Sequence, residues 1–374
     1  MTTILFWTAI LCVLYPYALY PIVLFIAGRR RPMPSAEAPA HRPSVSLIVP
    51  VSNEESCIAR KVENTASLRY PAARLQVIFI SDGSTDGTVN VLRRLAPSST
   101  EIIELTERRG KAAALNAGLA RAKNEIVVFS DAAVDFEPDA IERLVEPFAD
   151  PRIGCVSGED LIRESSGEAW YGRYELLLRR LESRVHSIVG ASGSVYAQRR
   201  AQCAPFTPGL APDFLSVLRT VELGYRAVSQ ASAIAFMTSA KDPRQEFERK
   251  VRTVLRGITT LFVYAHLLNP ARHGSFAFIL FSHKVMRWLA PVFMIVALIT
   301  PLWLLASPMY TTLLALQIVA YAVAWCAFHR LVGMNRLLLG KAALYFATVN
   351  LAVLVAWMQY ARGIRQEVWT PTRR

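Results

Sequence analysis

Three aspartates, Asp82, Asp131 and Asp213, carry side chains able to accept a proton or to meet a cation-bound phosphate. Asp82 lies in Ile80-Ser-Asp82-Gly83-Ser-Thr-Asp86-Gly, Asp131 in Val127-Val-Phe-Ser-Asp131-Ala-Ala, and Asp213 in Pro212-Asp213-Phe-Leu. The first two follow apolar, strand-like runs, and a carboxylate at a strand's C-terminal end points into the crevice where open α/β sheets bind ligands. Arg109-Gly-Lys111 sets two cations and a flexible residue at a helix start, where backbone N–H groups also favour anions. A diphosphate would use such a set, and Asn53-Glu54 after an earlier strand adds another acid near the same sheet edge. Plainer roles compete: Asp86 would cap a helix after an ordinary turn, and Asp213 after Pro212 would cap the helix that begins Phe214-Leu.

The elements that must position these groups alternate. Val45-Ser-Leu-Ile-Val-Pro50, Val77-Ile-Phe-Ile80, the weaker Ile102-Ile-Glu-Leu105 and Ile126-Val-Val-Phe129 read as strands. Helical stretches follow from Glu54 to about Leu68, Gly87 to Leu95, Lys111 to Ala122 and Pro138 to near Phe148. Short links between them predict an α/β fold whose mostly parallel sheet is covered on both faces, spanning 44–240.

Around this domain the chain is apolar. It has 374 residues, 53% of them apolar, and a formal net charge of +13. Residues 1–28 carry no charged side chain and suffice for one span, and the poor short apolar region around Tyr15-Pro-Tyr argues against a cleaved signal peptide. Residues 29–43 read as a linker opened by Arg29-Arg30-Arg31. Three further membrane segments are expected in 289–362: a hairpin from Leu289 to Phe328 turning at Ser307-Pro308, then Ala342 to Ala361. Phe247, Val251, Val254, Leu255, Ile258, Leu261 and Phe262 recur at helical spacing among Arg249, Lys250, Arg252 and Arg256. Residues 241–288 are therefore expected as amphipathic interface helices, with a helix packed on the soluble domain as the alternative. The basic cluster places the central domain in the cytoplasm of an inner-membrane, multi-pass protein. Four spans would then export the basic tail, 363–374, which conflicts with the same rule. Basic residues beside apolar runs point to anionic lipid rather than nucleic acid, and the unpaired cysteines point to a reducing compartment. His186, His266 and His283 read as packing or interface residues.

Taken in order, the motifs from Ser44 to about Ile258 resemble a family 2 glycosyltransferase of the GT-A fold, in the membrane-bound branch of cellulose, hyaluronan and chitin-oligosaccharide synthases. Pro50-Val-Ser-Asn53-Glu54 resembles the opening loop of that family, and Asp82-Gly83 its first aspartate motif, which implies contact with base and ribose. Gly110-Lys111-Ala-Ala-Ala-Leu-Asn116 resembles its GK-x-x-ALN segment beside the donor, with Arg109 adjacent. Asp131 falls at the D-x-D position, Gly193 within a glycine-rich segment near the acceptor, and Asp213 at the second acid of the ED or DD motif, implying the catalytic base.

The resemblance implies a nucleotide-sugar donor, a saccharide or lipid-linked acceptor, the lipid bilayer as partner, and Mg²⁺ or Mn²⁺ at Asp131. Two departures qualify it. Ala133 replaces the second D-x-D acid, leaving Asp131, with Asp135 as an available helper, to meet a cation. No Q-x-x-R-W motif is present; Gln245 to Arg252, with Arg249 and Arg252, is the nearest stretch. The expected function is inverting sugar transfer at the cytoplasmic face, in extracellular polysaccharide synthesis. Non-processive transfer to a lipid acceptor and an inactive sugar-nucleotide-binding membrane subunit are the alternatives.

Overall fold

The computed structural model describes residues 1–29, 42–162, 167–237 and 243–366. Arg30, Arg31, most of the expected linker and the end of the basic tail lie outside these residues. The soluble domain holds an eight-stranded sheet. Its strands are β1 (Val45–Val51), β2 (Leu75–Asp82), β3 (Glu101–Leu105), β4 (Ile126–Ser130), β5 (Val134–Phe136), β6 (Ile153–Ile162), β7 (Val195–Arg199) and β8 (Arg226–Met237). The spatial order is β3-β2-β1-β4-β7-β6-β8-β5. β3, β2, β1 and β4 run parallel, as do β6 and β8; β7 is antiparallel to both its neighbours, and β5 to β8.

All residues of β1 and β4 are buried, as expected where helices cover both faces of a parallel sheet. Period-2 alternation divides β1 between two cores. Val45, Leu47, Val49 and Val51 pack with Ile58 and Leu92, whereas Ile48 packs with Leu115 on the opposite side. The strand order reverses about β1, so the ends of β2, β1 and β4 border one crevice.

A third core joins this domain to the apolar helices, through Tyr20, Leu24, Phe214, Leu255, Phe276, Trp288 and Ala352. Among the described residues, four helices are long and apolar enough to cross a membrane: Thr2–Gly28, Pro270–Trp303, Pro308–Phe328 and Leu338–Ala361. The hairpin turns before Pro308 as expected, but residues 270–288, expected among the interface helices, continue into the next span, so that Pro270–Trp303 forms one run interrupted at Gly274. The basic helix Pro243–Val263 packs on the domain, where Ala211 N–H donates to Thr260 Oγ1 at 2.9 Å. It also packs along Leu338–Ala361: Lys250 Nζ donates to Tyr345 at 3.3 Å, and Phe262 stacks on Tyr360 at 5.0 Å. Just beyond, Arg256 Nε donates to the Gln366 carbonyl at 3.1 Å.

Candidate active site

β2 delivers Asp82 to the crevice, 1% exposed, and its carboxylate clasps the next loop. Oδ1 accepts from the Arg109 N–H at 2.7 Å and Oδ2 from the Gly110 N–H at 2.8 Å. The clasp needs glycine at two positions. Gly83 has φ +58°, and a Cβ there would lie 2.5 Å from the Arg108 backbone nitrogen. Gly110, at φ +89°, begins the helix Lys111–Arg121. Asp82 thereby orients the segment that carries Arg109 and Lys111. The Asp86 carboxylate accepts from Thr88 N–H at 3.0 Å, but the cap of the helix Thr88–Leu95 is Gly87, so Asp86 steadies the helix start from one residue before the cap rather than capping it as read. Hydrogen bonds from Thr88 outweigh burial and hold Asp86 below the usual carboxylate range.

Lys111 reaches across the crevice to Asp131, with Nζ 2.6 Å from Oδ1. Both line a small pocket of about 20 Å³, together with Pro50, Ser130, Gly193, Tyr196 and Asp213. Its floor is aromatic: Phe129 stacks on Tyr196 at 4.7 Å and meets Phe206 edge-on at 5.5 Å. Asp213 does not cap its helix. The cap of Pro212–Glu222 is Ala211, no side chain bonds to the cap, and Asp213 sits in the first turn. Gly193 lies beside it: a Cβ there would come 3.8 Å from Asp213 Cγ, an ordinary contact.

Asp213 also lines a second cavity of about 550 Å³, between the domain and the apolar helices. Tyr17, Glu175, Arg249, His283, Arg287 and Trp288 are among its walls. His283 is 3% exposed and wedged between two acids: Nδ1 lies 2.5 Å from Glu182 Oε1, and Nε2 3.2 Å from Glu175 Oε2. Arg287 Nη1 bonds Glu175 and also donates to Tyr171 at 3.0 Å. Burial raises the Glu175 carboxyl, but Arg287 and His283 outweigh it and hold the group well below its ordinary range. Tyr20 completes the network from the first apolar helix, donating to Glu182 at 2.7 Å.

Other sequence candidates have structural tasks. Asn53, at φ +54°, accepts from Thr85 N–H at 2.8 Å and ties the ends of β1 and β2 together. Glu54 accepts from Cys57 Sγ at 3.1 Å. Asn116 spends both ends of its amide on the Phe206 backbone, at 2.9 and 2.7 Å. Arg249 pairs with Glu246 at 2.6 Å while lining the larger cavity. Arg252 does not line either pocket, and burial followed by the Arg249 charge lowers its guanidinium. Asp135 pairs with Arg60 at 3.2 Å and lines neither of these two pockets.

Lys61 has no place among the sequence candidates, yet it lies under the Asp131 turn. It is 0% exposed and donates to Ser130 Oγ at 2.8 Å and the Val134 carbonyl at 2.6 Å, bracketing Asp131-Ala132-Ala133 from both sides. Its ammonium also stands 4.5 Å from the centre of the Phe136 ring. Burial pushes the group down to about 7, against the opposing pull of Asp135 and Asp131. Ile58, Lys61, Val62 and Thr65 are the buried residues of the helix Glu55–Ala66, an i, i+3, i+4, i+7 stripe. A lysine on that stripe was the available signal.

No group of three or more metal-ligating side chains occurs among the described residues. Asp131 alone fits a divalent cation only if a bound diphosphate supplies most of the other oxygens.

A sheet reversing about β1, with acids and cations at its carboxyl edge and a basic loop beside them, defines an open α/β fold with a ligand crevice at its switch point. The architecture agrees with that of the Pyrobaculum calidifontis mannosyltransferase PcManGT, solved in complex with GDP-Man and Mn²⁺. The TM-score is 0.75 at 24% identity, covering 96% of this chain and 99% of that one, which establishes the GT-A fold. Residues 46–196 match the model of glycosyl transferase family 2, so the chain carries a family 2 glycosyltransferase domain. The poly-beta-1,6-N-acetyl-D-glucosamine synthase of Staphylococcus aureus is 32% identical over 124 residues, 33% of this chain and 30% of that protein. A beta-monoglucosyldiacylglycerol synthase of Nostoc sp. is 31% identical over 132 residues, 34% of this chain and 28% of that protein. The chain thus aligns with less than a third of the length of these relatives.

Proposed function

We propose that this protein transfers a sugar, with inversion, from a nucleoside-diphosphate sugar to a saccharide or lipid-linked acceptor at the cytoplasmic face of the inner membrane. The observation that carries the reading is the place of Asp213, which lines both the pocket of Asp131 and Lys111 and the cavity that reaches the apolar helices. The donor enters on the first side and the acceptor on the second. The acceptor hydroxyl gives its proton to the Asp213 carboxylate, its oxygen bonds to the anomeric carbon, and the bond to the diphosphate breaks. One displacement of this kind inverts the centre. Lys111 stands where negative charge grows on the leaving diphosphate, and such preplaced charge is a large catalytic term. A divalent cation held by Asp131 and the diphosphate would supply further Lewis-acid stabilisation.

Tyr17 and Val353 of two apolar helices line the cavity, and this favours a lipid-linked acceptor with limited extension over a freely growing polymer. Asp213→Asn in purified protein tests the assignment. Nucleoside diphosphate binding should persist while transfer falls about 10²–10⁴-fold, the usual contribution of a general base. Near-normal turnover would remove Asp213 from its role, and product length from the unaltered protein would distinguish single addition from polymerisation.

A further inference from the structure

The larger cavity holds more unsatisfied positive charge than a neutral sugar would require. Lys284 and Arg287 lie three residues apart on one apolar helix, and Arg179 lines the same cavity from the helix Gly167–Val185. Lys284 meets the faces of Phe214 at 5.4 Å and Trp288 at 6.0 Å, and makes no hydrogen bond or ion pair among the described residues. Arg287 is 8% exposed; Nη1 is engaged by Glu175 and Tyr171, while Nε and Nη2 are buried without an acceptor. Arg179 Nη1 is likewise buried and unpaired. Buried charged donors are normally satisfied, because leaving one unmet costs more than a single hydrogen bond returns.

We infer that Lys284, Arg287 and Arg179 form an anion subsite that takes the phosphate of a lipid-linked acceptor, presenting the attached sugar to Asp213. Guanidinium forks and an ammonium together match phosphate oxygens. Phe214, beneath Lys284, follows Asp213 directly, which puts the anion beside the helix that bears the base. The lipid assignment follows from Tyr17, Tyr345, Val349 and Val353, which line the same cavity from apolar helices able to flank a hydrocarbon chain; the Tyr17 ring lies 5.6 Å from the Arg287 guanidinium. This inference rests on the cavity being the acceptor side of the proposed transferase.

The test uses the full chain in maltoside micelles and phosphate-free buffer, titrated with a short-chain polyprenyl phosphate, the polyprenol of the same chain and inorganic phosphate. Native mass spectrometry reads occupancy. The phosphate lipid should bind about tenfold or more tightly than the alcohol, the scale of one charge-assisted hydrogen bond. Lys284→Met and Arg179→Met should each erase most of that preference, and Lys284→Arg should retain it. Equal binding of phosphate lipid and alcohol overturns the subsite. Inorganic phosphate binding as tightly as the lipid overturns the lipid source. Nucleoside diphosphate titrations on the same samples read the donor side: lost lipid selectivity with nucleotide binding intact defeats this inference alone. Absence of nucleotide binding in the unaltered protein defeats the transferase reading and this inference with it.

Discussion

Replacing Lys61 by Met keeps an unbranched side chain of similar length but removes the charge and both hydrogen bonds beneath the Asp131 turn. The Val134 carbonyl, accepting at 2.6 Å, would lose this donor in a buried site, whereas Ser130 Oγ, accepting at 2.8 Å, would keep its own bond to the Asp131 carbonyl at 3.2 Å. Stranding one buried group costs about 1–3 kcal/mol. The titration of Lys61 then gives this loss a pH signature. Its folded-state value lies near 7, below the ordinary 10.5, so between these limits the unfolded chain holds a proton that the folded protein has released. The unfolding free energy of the unaltered protein therefore rises with pH, by about 1.4 kcal/mol per pH unit. Below pH 7 both states are protonated and the slope vanishes. Met has no such term, so the stability gap between the two proteins should widen by about 2.3 kcal/mol from pH 7 to pH 9, the slope being half developed at pH 7 itself. Thermal unfolding in detergent, followed by tryptophan fluorescence from pH 6 to 9, measures it. A gap that stays constant over that range would refute a buried, titrating Lys61. Nucleoside diphosphate affinity unchanged in Lys61→Met would refute its hold on the Asp131 turn.

Two further outcomes are expected. Gly83→Ala forces a Cβ against backbone at φ +58°, so it should cost at least about 1–2 kcal/mol and weaken nucleotide binding by opening the Asp82 clasp; calorimetry with nucleoside diphosphates measures this, and unchanged affinity would show that the clasp does not shape the donor side. Burial, with Glu54 adding to it, pushes the Cys57 thiol up to about 12, so at pH 8 iodoacetamide should alkylate it far more slowly than a free cysteine; peptide mass spectrometry would detect the contrary.

The first half of the domain was legible because its information is local. β1 to β4 are compact apolar runs separated by helix-period stretches, and their boundaries fall within a few residues of expectation. β6 and β8 were missed for physical reasons. Both are rich in small and polar residues, as in Ser157-Gly158 and Ser229-Gln230-Ala-Ser, and their register shifts between Ile153/Cys155 and Ser157/Glu159, so neither shows clean alternation. Their pairing joins segments far apart in sequence. At the site, aspartates in glycine-containing turns could be picked out by residue type. The clasp of Asp82 on two backbone amides could not, because main-chain donors leave no trace in side-chain pattern. Lys61 was hidden by its charge among polar neighbours, although its place on the buried stripe of its helix was there to be read.

The pairing of Leu338–Ala361 with Pro243–Val263 has a topological consequence. The partner carries Arg249, Lys250, Arg252 and Arg256 along the shared length, and a helix so charged cannot lie across hydrocarbon without great cost. A neighbour held beside it from Tyr345 to Tyr360 is expected to share that surface position, although it is long and apolar enough to cross. Crossings would then number three, and the chain would return to the side of its enzyme domain. Arg330, Arg336, Lys341, Arg362 and Arg365 would share that side, and the clash between a basic terminus and export would be removed. A reporter fused after Arg374 should accordingly share its compartment with the sugar-nucleotide supply.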